Sequence, residues 1–278
     1  MSDKKNDELG DKLKALEMKY AGEKLDENLP ICIRIDGKSF HTFTKGLKRP
    51  YDERLSNAMI ETMNFLMDKS DARLGYTQSD EISLVLFKTA SYQQGYFGSR
   101  VQKLTSILAS MATAKFNDEV SKNISEKKNY YAFFDCRAFN VPSLKEAAEV
   151  FMWRQEDAIK NAITMAASSE YSHKQLHKKS SREKIELLKE KNVEWSSYPE
   201  FFKSGTFAIK RYQEIPMTED MKKYKTNEGK DCFLRSEIVN FHHDRLKHKD
   251  NLENVLFSEV FENHQTATKE RNIRKKNY

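Results

Sequence analysis

Two groups of acidic residues adjoin short apolar segments in the first third of this 278-residue sequence. Asp36 ends the run LPICIRID, and Asp80 with Glu81 lies between the apolar runs ARLGY and EISLVLF. Mg²⁺ prefers carboxylate oxygens, and two Mg²⁺ ions can stabilise the attacking and leaving oxygens of a displacement at phosphorus. These residues predict phosphoryl or nucleotidyl transfer, with Asp36 and Asp80 as bridging metal ligands.

The residues after Asp36 have the types that a bound triphosphate requires. Gly37 carries no side chain, so its backbone can approach a metal ion or a phosphate closely. An Asp-Gly pair after a strand is also a common turn, and the pair alone leaves both interpretations open. The following donors are Lys38, Ser39 and His41, with Phe40 between them.

Further basic residues could complete a phosphate site. Arg100 and Lys103 lie in the first turn of a predicted helix, on one side of it. Positive charge at a helix start opposes the helix dipole, and a bound phosphate would compensate for it. An ordinary surface pair explains the same two residues equally well. Arg137 follows the fourth predicted strand and could extend the basic rim or pair with Asp135.

The apolar patterns predict the elements that position these residues. The predicted order begins with a strand ending at Asp36, a helix from about 52 to 68, and a hairpin joined by TQSD. A helix from about Gly98 and the strand YYAFFDCRAF follow. This order is the ferredoxin-like split unit, an α+β fold that also frames polymerase palms. Its antiparallel sheet is backed by helices, and its first strand lies beside the third. Asp36 and Asp80 should therefore converge, although the fold alone implies no activity.

The pattern divides the chain into a palm-like domain, 1–140, which would be catalytic if the carboxylates bind metal, and a mostly helical, basic region, 141–278, that packs on the palm and could face a polyanion such as RNA. One helix should run from about 143 to 170, and SGTFAIKRY predicts a further strand. Basic clusters in HKQLHKKSSREK and in the tail KERNIRKK could meet phosphates or could be solvated surfaces. His173 and His177 have a zinc-compatible spacing, but we favour a structural or RNA-facing role. An amphipathic helix should precede the first strand, with apolar residues from Leu9 to Tyr20.

The composition favours a soluble cytoplasmic protein that does not enter a membrane. Hydrophobic residues make up 38%, charged residues make up 32%, and the mean hydropathy is -0.80. Three cysteines without a CxxC spacing support neither a disulfide framework nor a zinc knuckle. The net charge of +6 tolerates a polyanionic partner without requiring one.

Several motifs in order resemble those of the tRNA-histidine guanylyltransferase family and its tRNA-guanylyltransferase-like branch. The two signature motifs are RIDGKSFHTF, residues 34–43, and YTQSDEISLVLF, residues 76–87. The resemblance continues through GSRVQK, FDCRAF and WRQEDA, and it spans about Leu29 to Tyr212. It implies a tRNA partner, ATP and GTP as substrates, two Mg²⁺ ions and a homotetramer.

The same resemblance implies roles for individual residues. The metal ligands would be Asp36, the backbone carbonyl of Gly37, and Asp80, with Glu81 as a supporting catalytic carboxylate. Residues 36–41, Ser79 and Asp80 would contact a nucleoside triphosphate. The phosphates of the activating nucleotide would meet Arg100, Lys103 and Arg137.

The implied reaction extends RNA at its 5′ end. ATP or GTP activates a 5′ monophosphate as a 5′-5′ pyrophosphate-linked cap, the 3′-hydroxyl of an incoming nucleotide attacks the activated phosphate, and pyrophosphate finally leaves. Each step develops charge on phosphate oxygens, which metal ions and Arg or Lys side chains stabilise.

One departure from the family pattern bears on the substrate. Members dedicated to histidine tRNA carry His-Ile-Asn-Asn after the Trp-Arg-Gln motif, whereas here Ile159 replaces the His and Ala162 the second Asn, although Asp157 and Asn161 are retained. This favours the branch that repairs truncated tRNA 5′ ends on a template. The alternatives are a dedicated tRNA-histidine guanylyltransferase, a palm-fold nucleotidyl cyclase or ordinary polymerase, and an RNA-binding module without activity.

Overall fold

A computed structural model describes residues 8–88, 94–223, 232–258 and 260 of the chain. Its strands are β1 (Ile31–Gly37), β2 (Ala72–Gln78), β3 (Glu81–Leu86), β4 (Phe134–Asn140), β5 (Thr206–Pro216) and β6 (Cys232–Phe241). Its longer helices are α1 (Glu8–Ala21), α3 (Glu53–Lys69), α4 (Val101–Asn123), α5 (Leu144–Glu170), α7 (Ser181–Glu190) and α10 (252–258). Four-residue helices are α2 (Phe40–Phe43), α6 (His173–Leu176), α8 (Glu200–Lys203) and α9 (Glu219–Lys222).

All six strands form one antiparallel sheet in the order β4-β1-β3-β2-β5-β6. The first four strands in this order, with α3 and α4, reproduce the ferredoxin-like split unit, so the predicted fold is confirmed. The predicted adjacency of the first and third strands is also confirmed, since Ile35 lies opposite Ile82 in the β1–β3 ladder. The ends of β1 and of the β2–β3 hairpin therefore meet at one edge of the sheet.

Two helices cover one face of the sheet. Alternate residues of β1, such as Ile33 and Ile35, point into this core because side chains along a strand alternate between faces. They pack with Met63 of α3 and Leu108 of α4, both fully buried. The packing of α3 and α4 against this face therefore fixes the position and direction of β1.

The opposite face is partly covered by α5, which comes from the C-terminal half. Its Phe151 lies with Leu74, Tyr76 and Val85 in a second buried cluster, and its ring centroid is 6.5 Å from that of Phe207 in β5. Helix α5 of the C-terminal half thus packs on the palm sheet. It does so on the face that α3 and α4 leave free.

The C-terminal half also adds strands to the sheet. The predicted strand in SGTFAIKRY is confirmed as β5, which pairs with β2. β6 was not predicted, because the sequence CFLRSEIVNF mixes apolar and polar residues without strict alternation. The sheet therefore contains strands from both sides of position 140 in the sequence. The proposed division into two domains stays a prediction.

The remaining sequence predictions concern the outer parts of the molecule. The predicted N-terminal helix is confirmed as α1, but no α1 residue is buried, so its apolar stripe has no partner within the described chain. The basic tail KERNIRKK lies outside the described residues. His173 and His177 are exposed with ring centroids 6.1 Å apart. Among the described helices, none has the length and apolar character needed to cross a membrane.

Candidate active site

The structure brings Asp36 and Asp80 together at the end of β1. Asp36 lies opposite Glu81 in the β1–β3 ladder, and the amide of Gly37 donates a hydrogen bond of 3.0 Å to the carbonyl oxygen of Asp80. Ser79 and Asp80 form the tight loop of the β2–β3 hairpin, where Ser79 has a left-handed φ of 56°. The predicted convergence of the two acidic segments is therefore confirmed.

The two carboxylates form a negative pair, and the charge of Asp36 affects the ionisation of Asp80. Burial and, secondarily, the charge of Asp36 raise the pKa of Asp80. None of the ion pairs formed by the described residues includes Asp36 or Asp80. In the same residues no three His, Cys, Asp or Glu side chains converge as a metal-binding group. Two carboxylates nevertheless fit Mg²⁺, because water and substrate phosphates commonly complete its shell.

Glu81 is held by an arginine from α5. The Arg154 Nε and one terminal nitrogen each donate a 2.6 Å hydrogen bond to a different oxygen of Glu81. The two side chains are only 11% (Arg154) and 15% (Glu81) exposed, and Arg154 also lies 3.1 Å from Asp157. Both oxygens of Glu81 are thus engaged by protein, which makes Glu81 a residue that anchors the hairpin carrying Asp80.

The segment after Asp36 is shaped by an aromatic ring. A Cβ at position 37 would lie 2.2 Å from the Phe40 ring, so this contact alone favours glycine at position 37. Phe40 is buried and packs against Phe116 and Phe134 with ring centroids 5.4 Å away. The side chain of Phe40 therefore belongs to the core, and only its backbone could make the predicted contact with a nucleotide.

A cleft of about 590 Å³ opens beside the acidic pair. Ser39, His41 and Ser79, whose predicted contact with a triphosphate stays a prediction, line this cleft, whereas the exposed Lys38 does not. Other elements contribute walls that the sequence analysis missed, because they become neighbours only in the folded chain. Those additional residues are Thr44, Leu47, Lys48, Arg49, Pro50, Tyr51, Asp52, Leu55, Ser56, Gln78, Thr164, Met165, Ser168, Phe201 and Phe202. The basic run KGLKRP was the one local signal for part of this wall.

The predicted phosphate-binding cations occupy two separate places. Arg137 lies within β4, opposite Arg34 of β1 and 3.6 Å from Asp135, so it adjoins the acidic end of the sheet. Arg100 instead precedes α4 and pairs with Lys24 ahead of β1, at the opposite end of the sheet. Lys103 is exposed one turn further along α4. One chain therefore does not bring Arg100 and Lys103 to Asp36 and Asp80.

The chain is similar to known proteins over most of its length. The family model described as tRNAHis guanylyltransferase (Thg1) matches residues 10–142. A tRNA(His) guanylyltransferase of Schizosaccharomyces pombe is 30% identical over 233 residues, which cover 76% of this chain and 86% of that protein. A bacterial tRNA(His) guanylyltransferase (Thg1)-like protein in complex with ATP has 39% identity and a TM-score of 0.69, covering 72% of this chain and 88% of its own.

A second bacterial structure of a Thg1-like protein, in complex with GTP, has 33% identity and a TM-score of 0.68. It covers 87% of this chain and 94% of its own. The residues that the family model matches include β1 to β4 and both acidic segments. The chain belongs to the tRNAHis guanylyltransferase family of nucleotidyltransferases.

Proposed function

We propose that this protein is a Mg²⁺-dependent reverse polymerase that adds nucleotides to the 5′ end of tRNA. The observation that carries the proposal is the meeting of Asp36 and Asp80 at the edge of a triphosphate-sized cleft. The bacterial relatives in complex with ATP and with GTP support nucleoside triphosphates as its substrates. The proposal includes activation of a 5′ monophosphate by ATP or GTP.

The residues around the cleft have distinct tasks in this reaction. Asp36 and Asp80 would hold two Mg²⁺ ions, which when bound stabilise charge on the attacking and leaving phosphate oxygens. Ser39 and His41 offer hydrogen bonds to a triphosphate, and Lys48 and Arg49 on the cleft wall provide positive charge. Arg154 keeps the hairpin in place through Glu81.

Templated repair is favoured over single guanylate addition by the residues after the Trp-Arg-Gln motif. Ala162 stands where dedicated enzymes carry a polar Asn, and it is fully buried with Leu188 of α7 and Phe202 of α8. A methyl group packed in a core offers no hydrogen bond to a nucleotide. Ile159 likewise lacks the ring nitrogens of the histidine that it replaces. This part of α5 therefore serves packing in the present chain.

The test uses 5′-monophosphorylated tRNA lacking its first nucleotide, all four triphosphates and Mg²⁺, with products resolved at single-nucleotide length. We expect extension that stops when the acceptor stem is complete, and loss of extension in Asp36→Asn and Asp80→Asn. Asp220→Asn, an exposed acid on α9, is the matched control. Near-normal extension by either variant would show that the metal assignment is wrong.

The same reactions separate the other functions. Addition of one G to full-length histidine tRNA alone would identify a dedicated guanylyltransferase. Conversion of a triphosphate to a cyclic product without RNA would identify a cyclase. RNA binding without consumption of any triphosphate would leave an RNA-binding module.

A further inference from the structure

Every second residue along the edge strand β4 and the segment before it is exposed. These residues, here called the β4 strip, are Tyr131, Phe133, Asp135, Arg137 and Phe139. Their aromatic members are 72%, 58% and 36% exposed in that order. Large aromatic side chains are seldom left in water in such a row, and an exposed apolar row commonly marks an interaction site.

The β4 strip runs directly to the acidic pair. Cross-strand partners share a face of the sheet, and the register places Phe139 opposite Cys32, Arg137 opposite Arg34 and Asp135 opposite Asp36. The amide of Lys38 donates to the Phe133 carbonyl at 2.8 Å, which continues the ladder beyond the acidic pair. The β4 strip therefore passes Asp36 on the sheet face opposite to α3 and α4.

Trp153 of α5 stands at the border of this open face. Its side chain is 53% exposed, although the other bulky apolar residues of the first half of α5 are buried or half-buried. The guanidinium carbons of Arg34 and Arg154 lie 5.7 Å and 4.6 Å from its ring centroid. An exposed indole beside these arginines offers a stacking surface; Arg154 is already paired with Glu81 and Asp157, so the positive charge there comes from Arg34.

The neighbouring strand adds a positive charge beside the β4 strip, because Arg34 of β1 lies opposite Arg137. Arg34 and Arg137 are cross-strand neighbours, and like charges in that position repel each other. The salt bridges formed by the described residues include Arg137 with Asp135 but none with Arg34. A phosphate between the two arginines would relieve the repulsion. Asp135 would repel the same phosphate, and Asp135 lies opposite Asp36. The phosphate should therefore lie closer to Arg34 than to these two carboxylates.

The geometry points to a binding site for unpaired nucleotides of the RNA end, formed by the β4 strip and Trp153. Bases would stack on Trp153, Phe139 and Phe133, and the backbone would pass Arg34 and Arg137. Aromatic residues on an open sheet face are a common way to bind single-stranded RNA. A second copy of this chain is the competing occupant, but it explains neither the arginines around Trp153 nor the continuity with the acidic pair. The inference rests on the proposed function for the identity of the RNA.

The first experiment uses the fluorescence of Trp153. The chain has two tryptophans, and Trp195→Phe leaves Trp153 as the single emitter. The probes are two 5′-monophosphorylated acceptor-stem hairpins, one with a four-nucleotide single-stranded tail and one blunt, added without triphosphates. The tailed RNA should quench the emission because a base stacks on the indole, and the blunt RNA should quench it much less. Equal quenching by both RNAs would overturn the proposal.

The second experiment measures the affinity for the same RNAs by fluorescence anisotropy. Trp153→Leu and Phe133→Leu should each weaken binding of the tailed RNA about tenfold, in line with the loss of one stacked base. Both variants should leave blunt RNA unaffected, and Trp153→Tyr should restore most of the loss. Tyr20→Leu on α1 is the control, because that ring is 81% exposed and is not part of the β4 strip. Unchanged binding of tailed RNA in both leucine variants would contradict the proposal.

Two further outcomes separate this inference from the proposed function. If the protein fails to extend tRNA but its tailed-RNA binding still depends on Trp153, the β4 strip stands and the polymerase assignment falls. If extension succeeds and the leucine variants instead change only the mass measured by light scattering, the β4 strip is an interface between protein copies.

Discussion

Asp36 and Asp80 carry like charges in close proximity, and this makes the site a source of instability without metal. Burial and Asp36 raise the pKa of Asp80, which means that its charged form is disfavoured in the folded protein. Asp80→Asn should therefore raise the free energy of unfolding of the metal-free protein by about 1 kcal/mol or more. Urea denaturation in the presence of a chelator measures this change, with Asp220→Asn as the control.

With Mg²⁺ bound, the wild-type protein should instead be more stable than Asp80→Asn. At a concentration about a hundred times its dissociation constant, a ligand of the folded state stabilises it by about 2.7 kcal/mol. Mg²⁺ should thus stabilise the wild-type protein and have little effect on Asp80→Asn. An equal gain in both proteins would place the metal elsewhere.

The pair between Glu81 and Arg154 is nearly buried, and so each side chain depends on the other. Arg154→Met leaves Glu81 without its bidentate partner and should lower the free energy of unfolding by about 3 kcal/mol. Arg154→Lys should recover only part of the loss, because an ammonium cannot form the two parallel hydrogen bonds. A double-mutant cycle with Glu81→Gln, followed by urea denaturation, measures the coupling. Additive losses in the cycle would show that the pair contributes nothing to stability.

The start of α3 depends on a carboxylate that also shapes the cleft wall. Asp52 accepts hydrogen bonds from the amides of Arg54 at 3.1 Å and Lys48 at 3.3 Å, and from the Arg54 guanidinium at 2.8 Å. The side-chain hydrogen bond with Arg54 is the main reason why the pKa of Asp52 lies below its ordinary value. Its stabilising effect is thus complete above the ordinary pKa and is lost as the pH falls through the lowered one.

Asp52→Asn should accordingly lower the free energy of unfolding by about 1 kcal/mol at neutral pH, because the amide can still cap the helix but loses the charge-assisted hydrogen bonds with the Arg54 guanidinium. Between about pH 5 and pH 2 the variant should lose less stability than the wild type does. Denaturation curves across this range measure both effects. Glu53→Gln changes an exposed acid in the same turn and should leave the pH dependence unchanged. If Asp52→Asn lost as much stability between about pH 5 and pH 2 as the wild type does, this explanation would be contradicted.

The palm elements were predictable because their apolar residues follow simple periods. Ile31, Ile33 and Ile35 alternate in β1, and the hairpin turn falls at the polar residues between two apolar runs. The bond between Glu81 and Arg154 joins residues 73 positions apart, and no local pattern announces it. β6 has mixed polarity and is recognisable only as the partner of β5. Local sequence thus indicates where carboxylates converge, while the walls around them depend on long-range packing.

The position of α4 in the whole molecule raises the question of how Arg100 and Lys103 could reach a nucleotide. Phe116 of α4 packs against Phe40 beneath the acidic end of the sheet. At a helical rise of about 1.5 Å per residue, Arg100 lies about 24 Å from Phe116 along the helix. If these cations contact the activating nucleotide, as the family resemblance implies, they must do so in another copy of the chain. The proposed homotetramer would allow such sharing.

Mixing two inactive variants tests this arrangement. One protein carries Asp36→Asn, the other carries Arg100→Ala with Lys103→Ala, and subunits are exchanged before tRNA extension is measured. Sites that combine intact carboxylates of one copy with intact cations of another should restore about a quarter of wild-type activity at random mixing. A mixture of Asp36→Asn and Asp80→Asn is the control, because both defects affect the same acidic pair and no exchange completes it. If the first mixture stays as inactive as the control, the cations act within their own chain, at a site separate from the acidic pair.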